Sequence, residues 1–162
     1  MRYPKTKPCR HWREEFPAGP FTFLVSSYNA LHSNCMKAQS DLDPSFGVYL
    51  DELWDDVYTS YPKIVVHWPD NGVIGLPELN QLISKIEFLL IQGLIIDIAC
   101  VLGHGRTGTF LACLLVELEG MNATEAIVAV RDRYCAYAVE TTEGENLIAA
   151  YAKSREGPKS LN

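Results

Sequence analysis

The sequence predicts an α/β fold: a mostly parallel central sheet of about four or five strands, flanked by helices on both faces. Three segments carry that expectation. Residues 64–67, IVVH, are β-branched and apolar, the composition of a buried strand. Residues 76–91 place Leu79, Leu82, Ile83, Ile86 and Leu90 at helical spacing, with Gln81, Lys85 and Glu87 outside that stripe. Residues 94–99 form a near-continuous apolar run, as in a strand covered on both sides. Strand, helix and strand in that order make one βαβ unit, whose strands run parallel when they share a sheet.

The other elements follow along the chain. Residues 1–20 are Pro-rich and basic, and are expected to be an irregular lead-in. Residues 21–26 and 46–50 have the composition of short strands. Residues 68–77, WPDNGVIGLP, read as a turn-rich loop, after which Pro77 suits the first position of the helix and Gly93 its end. A second helix is expected over 107–118, with Gly120 after it. Asn122 and Glu125 form a capping-box pattern opening a helix to about Tyr134. Thr142 and Glu145 suggest another, ending near Lys153, with residues 154–162 as a frayed tail.

The whole of residues 1–162 suits one domain. A chain of this length buries roughly 70% of its unfolded surface, so it needs no disulfide or metal staple. The net charge of −6 argues against nucleic acid or an anionic membrane as the main partner. The first thirteen residues nevertheless carry five positive charges and no negative one, the pattern of a solvated arm. Five cysteines at scattered positions (Cys9, Cys35, Cys100, Cys113, Cys135) do not form a disulfide framework. With no apolar leader and no run long enough to span a bilayer, a soluble cytoplasmic location is expected. Cys9, His11, His32 and Cys35 could supply four zinc ligands, but their spacing is not the usual one, and no metal site or cofactor is expected.

The chemistry concentrates in residues 100–108, CVLGHGRTG. Gly103 and Gly105 let the backbone amides of Val101, Leu102, Gly103, His104 and Gly105 turn inward as an anion-binding nest. The helix that follows adds its unpaired N–H groups and positive dipole end. Arg106 adds a planar, permanently charged fork matched to phosphate oxygens. His104 either tunes the field of the loop or faces the substrate, with a solvent-facing position the favoured expectation. A free thiol titrates near about 8.5, and a helix N-terminus with a nearby cation lowers that value, so Cys100 is expected to be an ionised nucleophile facing a bound phosphorus. The βαβ geometry brings the loop carrying Asp70 to the same sheet edge, where ligands of open α/β sheets sit. Asp70 is the expected acid for the departing oxygen, on a loop with Gly72 and Gly75 as hinges. A protonated Asp70 beside an ionised Cys100 predicts a bell-shaped rate profile on the acidic side of neutral.

These residues resemble the cysteine-dependent protein tyrosine phosphatases. Residues 100–108 match that family's C-x2-G-x2-R-[S/T]-G signature, and Trp68-Pro69-Asp70 is similar to its mobile acid loop. The resemblance covers residues 60–150 well, and the short length is similar to the compact dual-specificity and atypical members. It implies a phosphatase-like α/β fold and hydrolysis of phosphomonoesters through a phosphocysteine formed on Cys100. It further implies that Arg106 stabilises the phosphoryl group, that Asp70 acts as acid and then base, and that Thr107 donates its hydroxyl to the departing thiolate. The implied partner is a phosphorylated protein or peptide, phosphotyrosine first and phosphoserine or phosphothreonine next. Two positions depart from the pattern. Ala99 stands where the family usually has His, which helps order the loop. Glu140, in Val139-Glu140-Thr141, stands where the family's water-positioning Gln is common, and either orients water or caps the last helix. The alternatives are hydrolysis of a non-protein phosphate, such as a phosphoinositide or an RNA 5′ phosphate, or a phosphate-binding module with weak turnover. Trp12, Trp54, Tyr28 and Tyr49 belong either to the core or to the wall of a phenyl-ring pocket.

Overall fold

The structure, a computed structural model, describes residues 11–33 and 37–157. Five strands form a single sheet in the order β1-β2-β5-β3-β4, comprising β1 (Glu14–Ala18), β2 (Phe21–Ser27), β3 (Phe46–Tyr49), β4 (Lys63–Val65) and β5 (Ile96–Cys100). Only the β1–β2 hairpin is antiparallel. The α/β expectation holds, including the crossover from β4 to β5. The two strands run parallel in one sheet with β3 between them, so the loops carrying Asp70 and Cys100 open at one edge.

The first strand corrects the reading of residues 1–20 as irregular. Residues 14–18 pair with β2 across the two-residue link Gly19-Pro20, where Gly19 takes φ 57°. Phe16 and Ala18 are buried and Glu15 and Pro17 exposed, a period of two on an edge strand where proline costs no ladder bond.

The four long helices are α2 (Leu76–Ile91), α3 (Gly105–Glu119), α4 (Ala123–Arg133) and α5 (Thr142–Arg155). Helix α2 spans the residues its periodicity predicts, and α4 opens with the expected capping box, Asn122 accepting from the Glu125 amide and Glu125 from that of Asn122. Strand β5 starts at Ile96 rather than Leu94, because Gly93 turns left-handed at φ 84° and the Leu94 amide closes on the Leu89 carbonyl as part of the end of α2. Helix α5 reaches Arg155, inside the stretch expected to fray.

The sheet has two different faces. Ile96, Ile98 and Cys100 of β5 point into one apolar core with Val25, Val48 and the buried stripes of α2 to α5. Ala99 points to the other, where Tyr49 stacks on Trp54 at 4.0 Å. That face is covered by the short α1 (Tyr28–Leu31) and the 3-10 helix Glu52–Asp56. Trp54 and Tyr49 are therefore core, not pocket wall.

Asp97, the residue of β5 between Ile96 and Ile98, is a buried carboxyl. Ser26 donates to its Oδ1 at 2.8 Å and Tyr49 to its Oδ2 at 2.9 Å, while the hydroxyls of Tyr49 and Tyr61 meet at 2.6 Å. Burial pushes its pKa up to about 7, against the opposing pull of those two hydrogen bonds.

Candidate active site

Strand β5 delivers Cys100 to the sheet edge, and α3 begins five residues later. The bend between them depends on Gly103, at φ 82°, whose amide donates to the Cys100 sulfur at 3.3 Å. The Gly103 carbonyl accepts from the Tyr134 hydroxyl, and the Val101 carbonyl accepts from the Asn29 amide at 3.1 Å, so partners outside the loop hold its backbone. The N-cap residue of α3, His104, makes no side-chain cap bond. The first amides of an α-helix have no intrahelical acceptor. Cys100 is buried to 2% exposure, whereas Leu102 stands 51% exposed at the rim.

Arg106, in the first turn of α3, is buried. Its Nη1 donates to Asp51 Oδ2 at 2.5 Å and to the carbonyls of Trp68 at 2.9 Å and Leu50 at 3.4 Å. Its Nη2 lies 3.6 Å from Asp70 Oδ1. Asp51 thereby does two jobs, since its Oδ1 also caps the 3-10 helix by accepting from the Leu53 amide at 2.8 Å. From the same short helix, the Trp54 indole donates to the Cys100 carbonyl at 3.1 Å. Sequence reasoning missed Asp51. It precedes Arg106 by 55 positions, and its only signal is that residues 46–50 end a strand beside the cysteine strand.

Asp70 sits on a tight turn, accepting from the amide of Asn71, which takes φ 55°. Its side chain is 78% exposed. The turn is anchored by Trp68, which is buried and donates its indole N–H to the Gly72 carbonyl at 2.9 Å. One cleft is lined by Asp70, Cys100, Leu102, Gly105, Arg106 and Glu140, among others. The structure thus brings the predicted nucleophile, cation and acid together.

The remaining predicted residues are placed less uniformly. Thr107 is fully buried, and among the described residues its hydroxyl has no hydrogen-bond partner. Glu140 does not cap α5, because Thr141 does, accepting from the Gly144 amide at 3.0 Å. Glu140 instead reaches back to the loop of residues 100–106, with Oε1 3.6 Å from His104 Nδ1. Arg131 fixes that segment by donating to the carbonyls of Ala138 and Val139, each at 3.0 Å, and so holds Val139 at φ 62°. A Cβ on Gly108 would lie 2.7 Å from the Val139 amide nitrogen, so only glycine lets α3 seat against this segment. His104 corrects the expectation of a solvent-facing position. Its side chain is only 14% exposed and meets the His11 ring edge-on at 5.1 Å. The four-residue zinc grouping is not tested as a set, since Cys9 and Cys35 lie outside the described residues, but His32 packs on Tyr28 while His11 packs on the loop. Cys113 is buried inside α3, where burial pushes its thiol up.

The five-stranded, mostly parallel sheet with its flanking helices matches the fold of protein tyrosine and dual-specificity phosphatases. Solved structures of the same fold include Tk-PTP in its active form (24% identity, TM-score 0.63, covering 68% of this chain and 80% of that one). PTPMT1 in complex with PI(5)P (16%, 0.61, 68% and 78%) and human DUSP28 (14%, 0.65, 82% and 90%) share it as well. The chain belongs to one family with two proteins of Methanocaldococcus jannaschii, the uncharacterized proteins MJECL20 and MJ0215. They are 34% and 32% identical over 116 and 117 residues, which is 67% of this chain in each case and 76% and 71% of theirs. It is also 33% identical over 101 residues to protein tyrosine phosphatase domain-containing protein 1 of Danio rerio, covering 62% of this chain and 13% of that one. No family model matches the chain. No helix among the described residues is long and apolar enough to cross a membrane.

Proposed function

We propose that this protein hydrolyses phosphomonoesters of phosphoproteins, phosphotyrosine first, through a phosphocysteine on Cys100. The observation that carries the reading is the shared cleft of Cys100, Arg106 and Asp70, with Cys100 at the open N-terminus of α3. The Cys100 thiolate attacks phosphorus, the bond from phosphorus to the leaving oxygen breaks, and Asp70 gives that oxygen its proton. Water then attacks the phosphocysteine, Asp70 as carboxylate takes a proton from it, and the thiolate departs with inorganic phosphate released. The buried hydroxyl of Thr107 stabilises the departing thiolate, and Glu140 orients the water. Arg106 and the amides of residues 101–106 stabilise the charge on the phosphoryl oxygens throughout. The catalytic thiol must stay reduced, which suits a cytoplasmic setting.

The cleft favours a monoester over a polyanion. Its lining contains one cation, Arg106, against two carboxylates, Asp70 and Glu140. A phosphoinositide with several phosphates would gain little attraction and meet repulsion there. The exposed Leu102 at the rim offers an apolar contact for a phenyl ring. Hydrolysis of p-nitrophenyl phosphate tests the reading. Wild type turns over, and Cys100→Ser loses on the order of 10⁴-fold or more in kcat while still binding phosphopeptide. A wild-type protein that binds phosphopeptide without turnover would instead be a phosphate-binding module. Trapping phosphopeptides and phosphoinositides on Cys100→Ser separates the two substrate classes.

A further inference from the structure

Behind the phosphate-type loop, His11, His104 and Cys135 gather one ring nitrogen each and the Cys135 sulfur within 4.8 Å of one another. They come from the segment before β1, the N-cap of α3 and the turn just after α4. The two histidines share an unusual condition. His11 is 95% buried and its Nδ1 meets Glu14 Oε2 at 2.7 Å, yet its Nε2 is buried with no partner among the described residues. His104 Nδ1 lies 3.6 Å from Glu140 Oε1, and its Nε2 is likewise buried without a partner. Leaving a buried ring nitrogen unsatisfied costs about 1–3 kcal/mol, and here two such atoms belong to rings whose centroids lie 5.1 Å apart. A carboxylate on one ring nitrogen with the other aimed into a shared space is the arrangement that orients metal-binding histidines.

We propose that His11 Nε2, His104 Nε2 and the Cys135 thiolate bind a divalent transition-metal ion of the Zn2+ type, with water as fourth ligand. Two imidazoles and a thiolate form the donor set such an ion prefers over Mg2+ or Ca2+. Bonds of roughly 2.0–2.3 Å in a tetrahedron set two nitrogens and one sulfur roughly 3.3–3.6 Å apart, so the cluster, whose ligand atoms lie within 4.8 Å of one another, needs to contract by roughly 1.5 Å at most. Binding adds no catalytic step. It pins His104, and through it the loop that carries Cys100, to His11, whose ring already rests against Gly103. The inference holds whether or not Cys100 turns over a substrate.

The test uses tag-free full-length Cys100→Ser, so that the active-site sulfur does not contribute, titrated with Co2+ as spectroscopic probe and with Zn2+ in competition. The expected result is one Co2+ per chain with near-ultraviolet sulfur-to-cobalt absorption, displaced by Zn2+, and a higher Tm with Zn2+ than with chelator. Adding Cys135→Ser removes the absorption, and adding His11→Gln weakens binding at least about tenfold. Melting in chelator checks that both variants fold; if Cys135→Ser does not, His11→Gln and the absorption of the parent decide. No cobalt uptake by the parent, or the same absorption after Cys135→Ser, overturns the proposal.

Discussion

The two loops that meet in the cleft are built in opposite ways. The loop of residues 100–106 is held from every side: by the Gly103 amide on the sulfur, by Tyr134 on the Gly103 carbonyl, by Trp54 on the Cys100 carbonyl and by Asp51 on Arg106. The Asp70 loop is anchored at its two ends by the buried Trp68 and Ile74, and presents its carboxylate to solvent. A cradle for a phosphoryl group gains most when its dipoles are fixed before the substrate arrives, because they then cost no reorganisation during the reaction. An acid must instead reach the leaving group after substrate enters and exchange its proton with water, so a hinged, exposed loop suits it. The Arg106 contact with the Trp68 carbonyl joins the two regions.

That contrast can be broken at each end. Arg106→Lys keeps the charge but loses the planar fork that spans Asp51, the Trp68 carbonyl and substrate, and kcat/KM is expected to fall about 10²–10³-fold. A loss below about threefold in steady-state kinetics would show that the loop needs only a charge. Asp70→Asn removes the proton donor without disturbing the rigid loop. The expected loss is about 10²-fold for a phenyl-type leaving group and much less for p-nitrophenol, which leaves without help. Equal losses with both substrates would assign Asp70 a binding role.

Stability measurements sharpen the same contrast. Gly108→Ala drives a methyl into the Ala138–Val139 backbone, so it is expected to cost about 1–3 kcal/mol in denaturant unfolding and to displace Glu140. An unchanged midpoint would mean the seat of α3 is looser than its contacts imply. A pH-dependent effect concerns Asp97, beneath the fixed loop on β5. Its folded pKa, about 7, is above the unfolded value of 3.8. Between those values the folded state keeps a proton that the unfolded state has lost, so stability falls as pH rises from about 4 to 7, by on the order of a few kcal/mol. Asp97→Asn is expected to flatten that slope. A wild-type midpoint that does not decline across this window would show Asp97 ionised in the folded protein.

Sequence alone determined the elements whose signals are local. Helix α2 shows its length through apolar spacing, α4 its start through the Asn122–Glu125 box, and residues 100–108 their bend through Gly103, which adopts the positive φ that other residues resist. The βαβ order also placed Asp70 and Cys100 at one edge, because crossover geometry depends on chain order rather than on side-chain detail. Tertiary structure decided everything that depends on partners distant in the chain. Strand β1 exists because Phe16 and Ala18 find the core beside β2, a placement the Pro-rich segment does not announce. The roles of Asp51 on Arg106, Arg131 under Glu140, and His11 against His104 arise only when separate segments pack together. Short sequences encode turns and periodicity, but the neighbours of a buried charge are chosen by the fold as a whole.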